Sequence, residues 1–293
     1  MSSIVLDGGL ATRLEALGCD LRDELWSARL LATDPGVIRQ AHLDYFRAGA
    51  DVATTASYQA SIPGFVRRGH TAAQARDLIR LSVTLAVQAR DEAGHGLVAA
   101  SVGPYGAYLA NGAEYTGDYD LDADGLAAWH RERFEILASA GADLLACETI
   151  PSAAEARALA TLLRETPDVR AWVSFSCRDG HHVNDGTPFE ECAALFADLP
   201  QVVAVGVNCT APRFIPDLIG HGATIVYPNS GETWDAAGRR WLGLADPVEF
   251  GEEAARWQAL GARYVGGCCR TTPEHIREVR SRLAPAGTAT TPL

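Results

Sequence analysis

The sequence has little positive charge, no long hydrophobic run and few cysteines. Its 25 basic residues, all of them arginines, are outnumbered by 37 aspartates and glutamates, which gives a formal net charge of −12. Nucleic-acid surfaces need clustered positive charge, so this balance excludes a nucleic-acid partner and mildly favours cationic ligands. No run of about 18 uncharged apolar residues occurs, and the first residues lack a secretory signal. We therefore expect a soluble, cytoplasmic protein with no membrane partner.

Seven cysteines in 293 residues are too few and too irregularly spaced for a disulfide framework. Their odd number also leaves at least one thiol unpaired, so reduced thiols are the default. Four of them, Cys19, Cys147, Cys177 and Cys192, are interpreted as small apolar residues of the core.

Eight short apolar segments alternate with segments of helical spacing. The predicted strands are residues 4–10, 51–57, 97–104, 143–149, 171–177, 202–209, 224–229 and 264–268. The clearest predicted helices are residues 71–93, 124–140, 152–164, 247–260 and 273–283. This pattern predicts an α/β fold, a single-domain (β/α)₈ TIM barrel over residues 1–285 with a flexible tail at 286–293, and an open doubly wound sheet is the alternative.

Two connections are longer than the others, at residues 105–121 and 178–188. Long connections in a compact domain are usually functional. Both follow the carboxyl ends of predicted strands, which is the face where barrel enzymes carry their active sites.

Unusual polar and thiol residues follow the predicted strands on that same face. They are Asp7, Glu148, Asn208, Cys209, Cys268 and Cys269. Three cysteines without another obvious ligand suggest a tris-thiolate zinc site whose fourth position is free for water or substrate. Adjacent residues of a regular strand point to opposite faces, so Cys268 and Cys269 reach one metal only if the backbone turns, which the preceding glycine pair would permit.

Other interpretations of these residues remain open at this point. The three cysteines could be buried structural residues, or the adjacent pair could be redox-active. Asp7 and Glu148 could cap the helices that follow them. His181 and His182 lie side by side in a polar connection and are more simply solvated than metal-binding.

A zinc ion with three thiolates carries a formal charge of −1, which weakens its action on water and favours a soft incoming sulfur. Thiol alkylation is therefore the favoured reaction class. A zinc hydrolase and a non-catalytic zinc- or thiol-binding protein are the alternatives. A sulfonium donor would need no general acid, since its leaving group is a neutral thioether. Aromatic side chains on the same face could receive such a cation; they are Tyr58, Tyr105, Tyr108, Tyr115 and Trp234.

The sequence resembles the zinc-dependent homocysteine S-methyltransferases, most closely the branch that uses S-methylmethionine. The resemblance spans nearly the whole chain in matching order and is carried by LDGGLATRLE, SVGPYGAYLANGAEYTGDY, GADLLACETIP, NDGTPF, VGVNC, VYPNSGETWD and GGCCRTTPEHI. It implies a (β/α)₈ barrel and methyl transfer from S-methylmethionine, or less efficiently S-adenosylmethionine, to homocysteine. The chain ends soon after the last predicted helix, so we expect a monomer or a weak homo-oligomer.

The resemblance also implies roles for individual residues. Cys209, Cys268 and Cys269 would be the ligands of Zn²⁺, with the homocysteine sulfur as the fourth ligand. Asp7 and Glu148 would hold the homocysteine ammonium group. Other residues implied near the substrates are Gly8, Asn208, Tyr58 and the loop 103–119. Trp234 stands where relatives are expected to carry tyrosine, which would reshape the donor pocket.

Overall fold

The computed structural model describes residues 3–22, 25–235, 240–242 and 246–283. Eight strands form one parallel sheet: β1 (Ile4–Val5), β2 (Val52–Thr54), β3 (Leu97–Val102), β4 (Leu144–Ile150), β5 (Ala171–Phe175), β6 (Val202–Asn208), β7 (Ile225–Tyr227) and β10 (Tyr264–Val265). Their order is β1-β10-β7-β6-β5-β4-β3-β2. A parallel bridge between Leu6 and Val52 joins the two ends of this order. The predicted (β/α)₈ barrel is therefore confirmed.

Helices follow the strands and cover the outside of the barrel. They are α1 (Leu10–Ala16), α2 (Leu30–Thr33), α3 (Pro35–Arg47), α4 (Ile62–Arg67), α5 (Ala72–Ala93), α6 (Tyr105–Leu109), α7 (Ala123–Ala138), α8 (Ala153–Glu165), α9 (Phe189–Ala194), α10 (Ile215–Gly220), α11 (Pro247–Leu260) and α12 (Pro273–Arg282). Several begin at a cap that the sequence encodes. The Thr71 hydroxyl accepts from the backbone of Gln74, and the Ser152 hydroxyl accepts from that of Glu155. In the described ranges, no helix is long and apolar enough to cross a membrane.

Two apolar layers hold the barrel together. The inner layer fills the barrel and includes Leu6, Val52, Ala99, Leu144, Ala146, Trp172, Ile225 and Tyr264. The outer layer packs the other face of the strands against the helices, and it contains Cys147, Cys177 and Cys192 with Cys19 at its margin. The prediction that these cysteines belong to the core is confirmed for Cys147, Cys177 and Cys192, whereas Cys19 is only partly buried.

The predicted strands are too long at several carboxyl ends. Residues 7–10 leave the first strand, and the last strand ends at Val265 rather than at residue 268. These segments line the mouth of the barrel, where single backbone hydrogen bonds, such as those from Asp7 to Val52 and from Cys268 to Pro228, replace a continuous strand ladder. The connection 105–121 also contains helix α6 and a 3₁₀ turn at Ala113–Tyr115, so it is an ordered part of the barrel mouth.

One hairpin was not predicted from the sequence, and the predicted tail cannot be compared with the structure. A short antiparallel hairpin, β8 (Thr233–Asp235) with β9 (Arg240–Leu242), follows the seventh barrel strand and was missed. The predicted tail at 286–293 lies outside the described residues.

Close packing of β6 against β7 depends on Gly206. This residue pairs with Ile225, and a Cβ atom at position 206 would lie 1.9 Å from the Ile225 carbonyl oxygen. We expect Gly206→Ala to lower the free energy of unfolding by about 3 kcal/mol, because the two strands would have to move apart. Urea unfolding of the two proteins measures this difference.

The matched control is Gly220→Ala, at the exposed end of α10, where an added Cβ meets no atom within 4 Å. Its free energy of unfolding should stay within about 0.5 kcal/mol of the parent value. Equal effects of the two substitutions would contradict the packing argument.

Candidate active site and metal centre

The carboxyl ends of the barrel strands surround a cavity of about 480 Å³. Its walls come from the first, second, fourth, sixth, seventh and last barrel strands and from the loop after the third. The residues singled out in the sequence that line it are Asp7, Gly8, Tyr58, Tyr115, Glu148, Asn208, Cys209, Cys268 and Cys269. The expectation that these residues meet on one face of the barrel therefore agrees with the structure.

The three cysteine sulfurs form a compact cluster at the bottom of this cavity. All three lie within 4.8 Å of one another, and Cys209 Sγ is 3.6 Å from Cys269 Sγ. A tetrahedral zinc ion with Zn–S bonds of about 2.3 Å spaces its sulfurs about 3.8 Å apart. The cluster therefore has the dimensions of a three-thiolate metal site.

Two glycines bring Cys268 and Cys269 to this cluster by close approach. A Cβ atom at Gly266 would lie 2.6 Å from the Leu6 Cβ, and one at Gly267 would lie 2.4 Å from the Thr271 hydroxyl oxygen. Neither glycine has a positive φ; the left-handed residue of this turn is Arg270, at φ 67°. The glycine pair thus provides space rather than an unusual backbone conformation, which corrects the reason expected from the sequence.

The electrostatics of the cluster favour a bound cation. Hydrogen bonds from the Cys209 and Cys268 thiols hold the pKa of Cys269 well below its usual range. The pKa of Cys209 is raised by its hydrogen bonds with Cys268 and Cys269 and by burial. Cys269 therefore ionises more readily than its two neighbours. A bound dication would favour the ionised form of all three thiols, because it stabilises each thiolate.

Asp7 is a buried carboxylate directly after β1. It accepts a hydrogen bond of 2.8 Å from the backbone N–H of Thr54, and the Thr54 hydroxyl lies 3.2 Å from both carboxylate oxygens. Burial raises the pKa of Asp7 well above its usual value, in spite of the Thr54 N–H. These contacts aim the carboxylate at the cavity instead of at a helix terminus, which argues against the capping interpretation.

Glu148 lies within β4 at an irregularity of the strand. The pairing register with β5 shifts between Cys147 and Ile150, and such a bulge redirects side chains. The carboxylate accepts hydrogen bonds from the Ser101 hydroxyl and, at 3.1 Å, from the Tyr227 hydroxyl. Burial raises the pKa of Glu148 to about 7. Among the described residues, neither Glu148 nor Asp7 forms an ion pair.

Asn208 holds the backbone beside Glu148 in an unusual conformation. Its Oδ1 accepts from the backbone N–H of Thr149 at 2.8 Å, and its Nδ2 donates to the Thr149 hydroxyl at 2.7 Å. Thr149 has φ 61°, which is rare for a β-branched residue. Asn208 Nδ2 also lies 3.9 Å from Cys268 Sγ, so one buried amide connects the strained turn to the thiols.

The aromatic residues predicted for the donor pocket separate into two groups. Tyr58 lines the cavity, and the Tyr115 hydroxyl lies 3.8 Å from Cys209 Sγ. Tyr105 and Tyr108 are not among the lining residues; because they start α6, they turn away from the cavity and pack against Trp129, with ring centroids 5.0 and 5.5 Å from it. The side chain of Trp234 lies outside the described part of the structure.

Several cavity residues were not recognised in the sequence. Glu114 and Arg270 both line the cavity, and Arg270 Nε donates to the carboxylate of Glu232 at 2.9 Å. Thr54 and Tyr227 hold the two buried carboxylates. The sequence did carry one indication that Glu114 lines the cavity: it directly precedes Tyr115 in a loop that was expected to be functional. His181 and His182 are not among the residues that line this cavity; the backbone N–H of His181 and the ring of His182 contact the Asp179 carboxylate.

The raised pKa of Glu148 predicts a pH-dependent stability difference. A carboxyl group whose pKa rises from 4.5 to about 7 on folding stabilises the folded protein at low pH and loses that contribution as the pH rises towards 7. Compared with the parent, metal-free Glu148→Gln should therefore gain about 3 kcal/mol in unfolding free energy between pH 4.5 and pH 8. Urea unfolding across this range measures the gain.

Glu135→Gln removes an exposed carboxylate of α7 and serves as the control. Its stability relative to the parent should not change with pH by more than about 0.5 kcal/mol. A constant difference between Glu148→Gln and the parent from pH 4.5 to pH 8 would contradict the assigned burial effect.

Comparison with known proteins places the chain in a family. A family model described as homocysteine S-methyltransferase matches residues 4–283. The chain is 49% identical over 292 residues to homocysteine S-methyltransferase YbgG of Bacillus subtilis, covering 94% of this chain and 93% of the relative. It is 50% identical over 293 residues to homocysteine S-methyltransferase of Escherichia coli, covering 95% and 94%.

The fold agrees with these sequence matches. The crystal structure of the homocysteine methyltransferase MmuM from Escherichia coli in its metallated form superposes with a TM-score of 0.85 at 48% identity, covering 96% of both chains. The resemblance drawn from the sequence motifs is thereby confirmed, as is the prediction of a methyltransferase. The chain belongs to the homocysteine S-methyltransferase family.

Proposed function

We propose that this chain is a zinc-dependent enzyme that transfers a methyl group from S-methylmethionine to the thiol of homocysteine, forming methionine. The observation that carries the proposal is the meeting of three thiols and two buried carboxylates in one cavity. The thiols suit a soft metal and a sulfur substrate, and the carboxylates suit an ammonium group. An amino acid that carries a thiol has both a sulfur for the metal and an ammonium group for the carboxylates.

Cys209, Cys268 and Cys269 would hold the zinc ion. The spacing of their sulfurs supports this assignment, as does the electrostatic gain that a dication would bring to the cluster. When bound, zinc would keep a substrate thiol ionised at neutral pH, where a free thiol with a pKa of about 8.5 is mostly protonated.

Asp7 and Glu148 would bind the ammonium group of homocysteine. Both carboxylates are fixed by hydrogen bonds to neighbouring strands, and in the described residues both lack a cationic partner. An ammonium group would supply the missing positive charge and favour the ionised form of both acids. Gly8 and Asn208 complete this side of the site, where any larger residue at Gly8 would contact Tyr45.

The methyl donor would approach from the loop side of the cavity. The thiolate lone pair forms the new S–C bond, and the S–CH₃ bond of the donor breaks with its electron pair staying on the donor sulfur. The donor leaves as a neutral thioether, and the thiol proton passes to solvent. Tyr58 and Tyr115 line this side and would offer aromatic contacts to the sulfonium. With S-methylmethionine, both products are methionine.

We further propose a cytoplasmic location and a monomer or weak homo-oligomer. A reducing compartment keeps the thiols of the cluster available for a metal. The proposed metal ligands and the two buried carboxylates line one cavity of this chain.

The metal assignment predicts that Cys269→Ala loses zinc and activity together. Removing one of three thiolates should lower methionine formation at least about 100-fold, because it removes a ligand. Zinc content by elemental analysis and methionine formation measure the two losses in the same preparation. Cys19→Ser, at the margin of the outer core, should retain both; full turnover by metal-free Cys269→Ala would refute the assignment.

The donor assignment predicts an order of activities. Zinc-loaded protein given homocysteine should turn over S-methylmethionine at least about tenfold faster than S-adenosylmethionine, because donors that differ in shape are discriminated by the pocket. Betaine should give no methionine above background. Parallel assays of the three donors measure the order; fastest turnover with betaine would contradict the proposal.

A further inference from the structure

Besides Asp7 and Glu148, the cavity contains a partly buried carboxylate that neither the metal site nor the homocysteine site uses. Glu114 lines the cavity from the 3₁₀ turn Ala113–Tyr115, in the loop after β3. Its neighbour Tyr115 reaches to within 3.8 Å of the Cys209 sulfur. Glu114 therefore stands on the side from which the methyl donor would approach, on a different loop from Asp7, which follows β1, and from Glu148 of β4.

The backbone of Glu114 is held in place by packing and hydrogen bonds. A Cβ atom at Gly106 would lie 2.2 Å from the Glu114 backbone nitrogen, so α6 and the 3₁₀ turn touch through a residue without a side chain. The Ser176 hydroxyl donates to the Glu114 carbonyl at 3.4 Å, and the Asn111 side chain accepts from the backbone N–H of Ala113 at 3.0 Å. The carboxylate is thus presented by a fixed turn.

One oxygen of this carboxylate is buried without a partner. Oε2 of Glu114 is inaccessible to solvent and forms no hydrogen bond within the described residues. Burial raises the pKa of Glu114, and the backbone N–H groups of Glu114 and Gly112 oppose that rise. A buried polar atom without a partner is destabilising by about 1–3 kcal/mol, and more if it is charged. Because Glu114 lines the cavity, rotation of its carboxylate towards the cavity would let a bound ligand supply the missing partner.

The chemistry of methyl transfer determines which part of a cationic donor suits this carboxylate. The positive charge of a sulfonium disappears as the methyl group leaves, so a carboxylate against the sulfur stabilises the reactant more than the transition state. A carboxylate against an ammonium group of the same donor keeps its interaction throughout the reaction. Such uniform binding lowers KM without lowering kcat.

We propose that Glu114 binds the α-ammonium group of an amino-acid methyl donor and thereby selects sulfonium amino acids over sulfoniums that lack an amino group. The inference rests on the proposed function, in which the donor is a sulfonium. It assigns the loop after β3 a specific recognition task, separate from the binding of homocysteine.

The test compares Glu114→Gln with the parent on two donors that differ only in the amino group, S-methylmethionine and 4-(dimethylsulfonio)butanoate. With S-methylmethionine, the variant should show a KM about 10- to 100-fold higher, which is the loss of a hydrogen bond between charged groups. Its kcat should stay within about threefold of the parent value, and the KM for homocysteine should not change. With 4-(dimethylsulfonio)butanoate, parent and variant should agree within about twofold in KM, or in inhibition constant if this compound is not turned over.

Two controls separate recognition from damage to the fold. Glu15→Gln removes an exposed carboxylate from the wall of the same cavity and should change the KM for S-methylmethionine less than about twofold. Thermal unfolding of ligand-free Glu114→Gln should occur at or above the parent temperature, because the substitution removes a buried acid.

The outcomes distinguish this inference from the proposed function. An unchanged KM for S-methylmethionine in Glu114→Gln, or an equal rise with both donors, would overturn the role of Glu114 and leave the proposed function standing. If the parent itself made no methionine from S-methylmethionine, the proposed function would fail, and the inference with it.

Discussion

The gathering of acidic groups without a cationic partner is the constraint on which the rest of this structure depends. Three thiols and the buried carboxylates of Asp7 and Glu148 line one cavity, and within the described residues no arginine or histidine pairs with either carboxylate. Each ionised group would be destabilising there by several kcal/mol without a counter-charge. The raised pKa values of Asp7 and Glu148 are the direct result. The ligand-free cavity is therefore a site prepared for cations.

The same constraint is visible in the backbone around the cavity. Among the described residues, four that are not glycine have positive φ values, namely Ala110, Thr149, Cys209 and Arg270. All four line the cavity. Left-handed conformations at such residues are destabilising by about 1–3 kcal/mol each and persist only where the surroundings hold them, as Asn208 holds Thr149. Thr149 lies near the carboxyl end of β4 and the other three lie in turns at the barrel mouth, so these conformations are confined to residues around the cavity.

The sequence predicted the barrel and the thiol cluster because both follow from the order of the chain. Alternating strands and helices bring every strand end to one face, so Asp7 and Cys268 meet although 261 positions separate them along the chain. The orientation of single side chains could not be predicted. Tyr105 and Tyr108 face away from the cavity because a helix begins at Tyr105, and a strand bulge redirects Glu148.

The missed residue Glu114 illustrates a different limit of sequence-based prediction. A glutamate in a polar loop is ordinarily a solvated residue, and nothing in its neighbours along the chain indicates that one of its oxygens is buried. The turn that carries it is positioned by close packing against Gly106, which is a contact in space. The same is true of Gly266 and Gly267, whose function is to let Leu6 and Thr271 approach.

A buried arginine explains how the loops of the donor side keep their shape. Arg133 of α7 donates to the carbonyl oxygen of Gly103 and lies 3.4 Å from that of Tyr58, so one guanidinium joins the segments after β2 and β3. It also donates to His130 Nδ1 at 3.0 Å, which leaves the proton of this neutral imidazole on Nε2, 2.8 Å from the Glu155 carboxylate. Burial lowers the pKa of both His130 and Arg133.

This arrangement contrasts with that of the cavity. The charge of Arg133 is balanced, through His130, by Glu155, and Glu155 in turn accepts from the backbone N–H of Tyr105 at 2.6 Å. The charges of Arg133 and Glu155, which support the loops from outside the cavity, are thus paired. The carboxylates that line the cavity have no cationic partner in the described residues. Because the paired network fixes the backbone after β2 and β3, the donor side of the cavity is ordered before a ligand arrives, and less ordering is left for the ligand to impose.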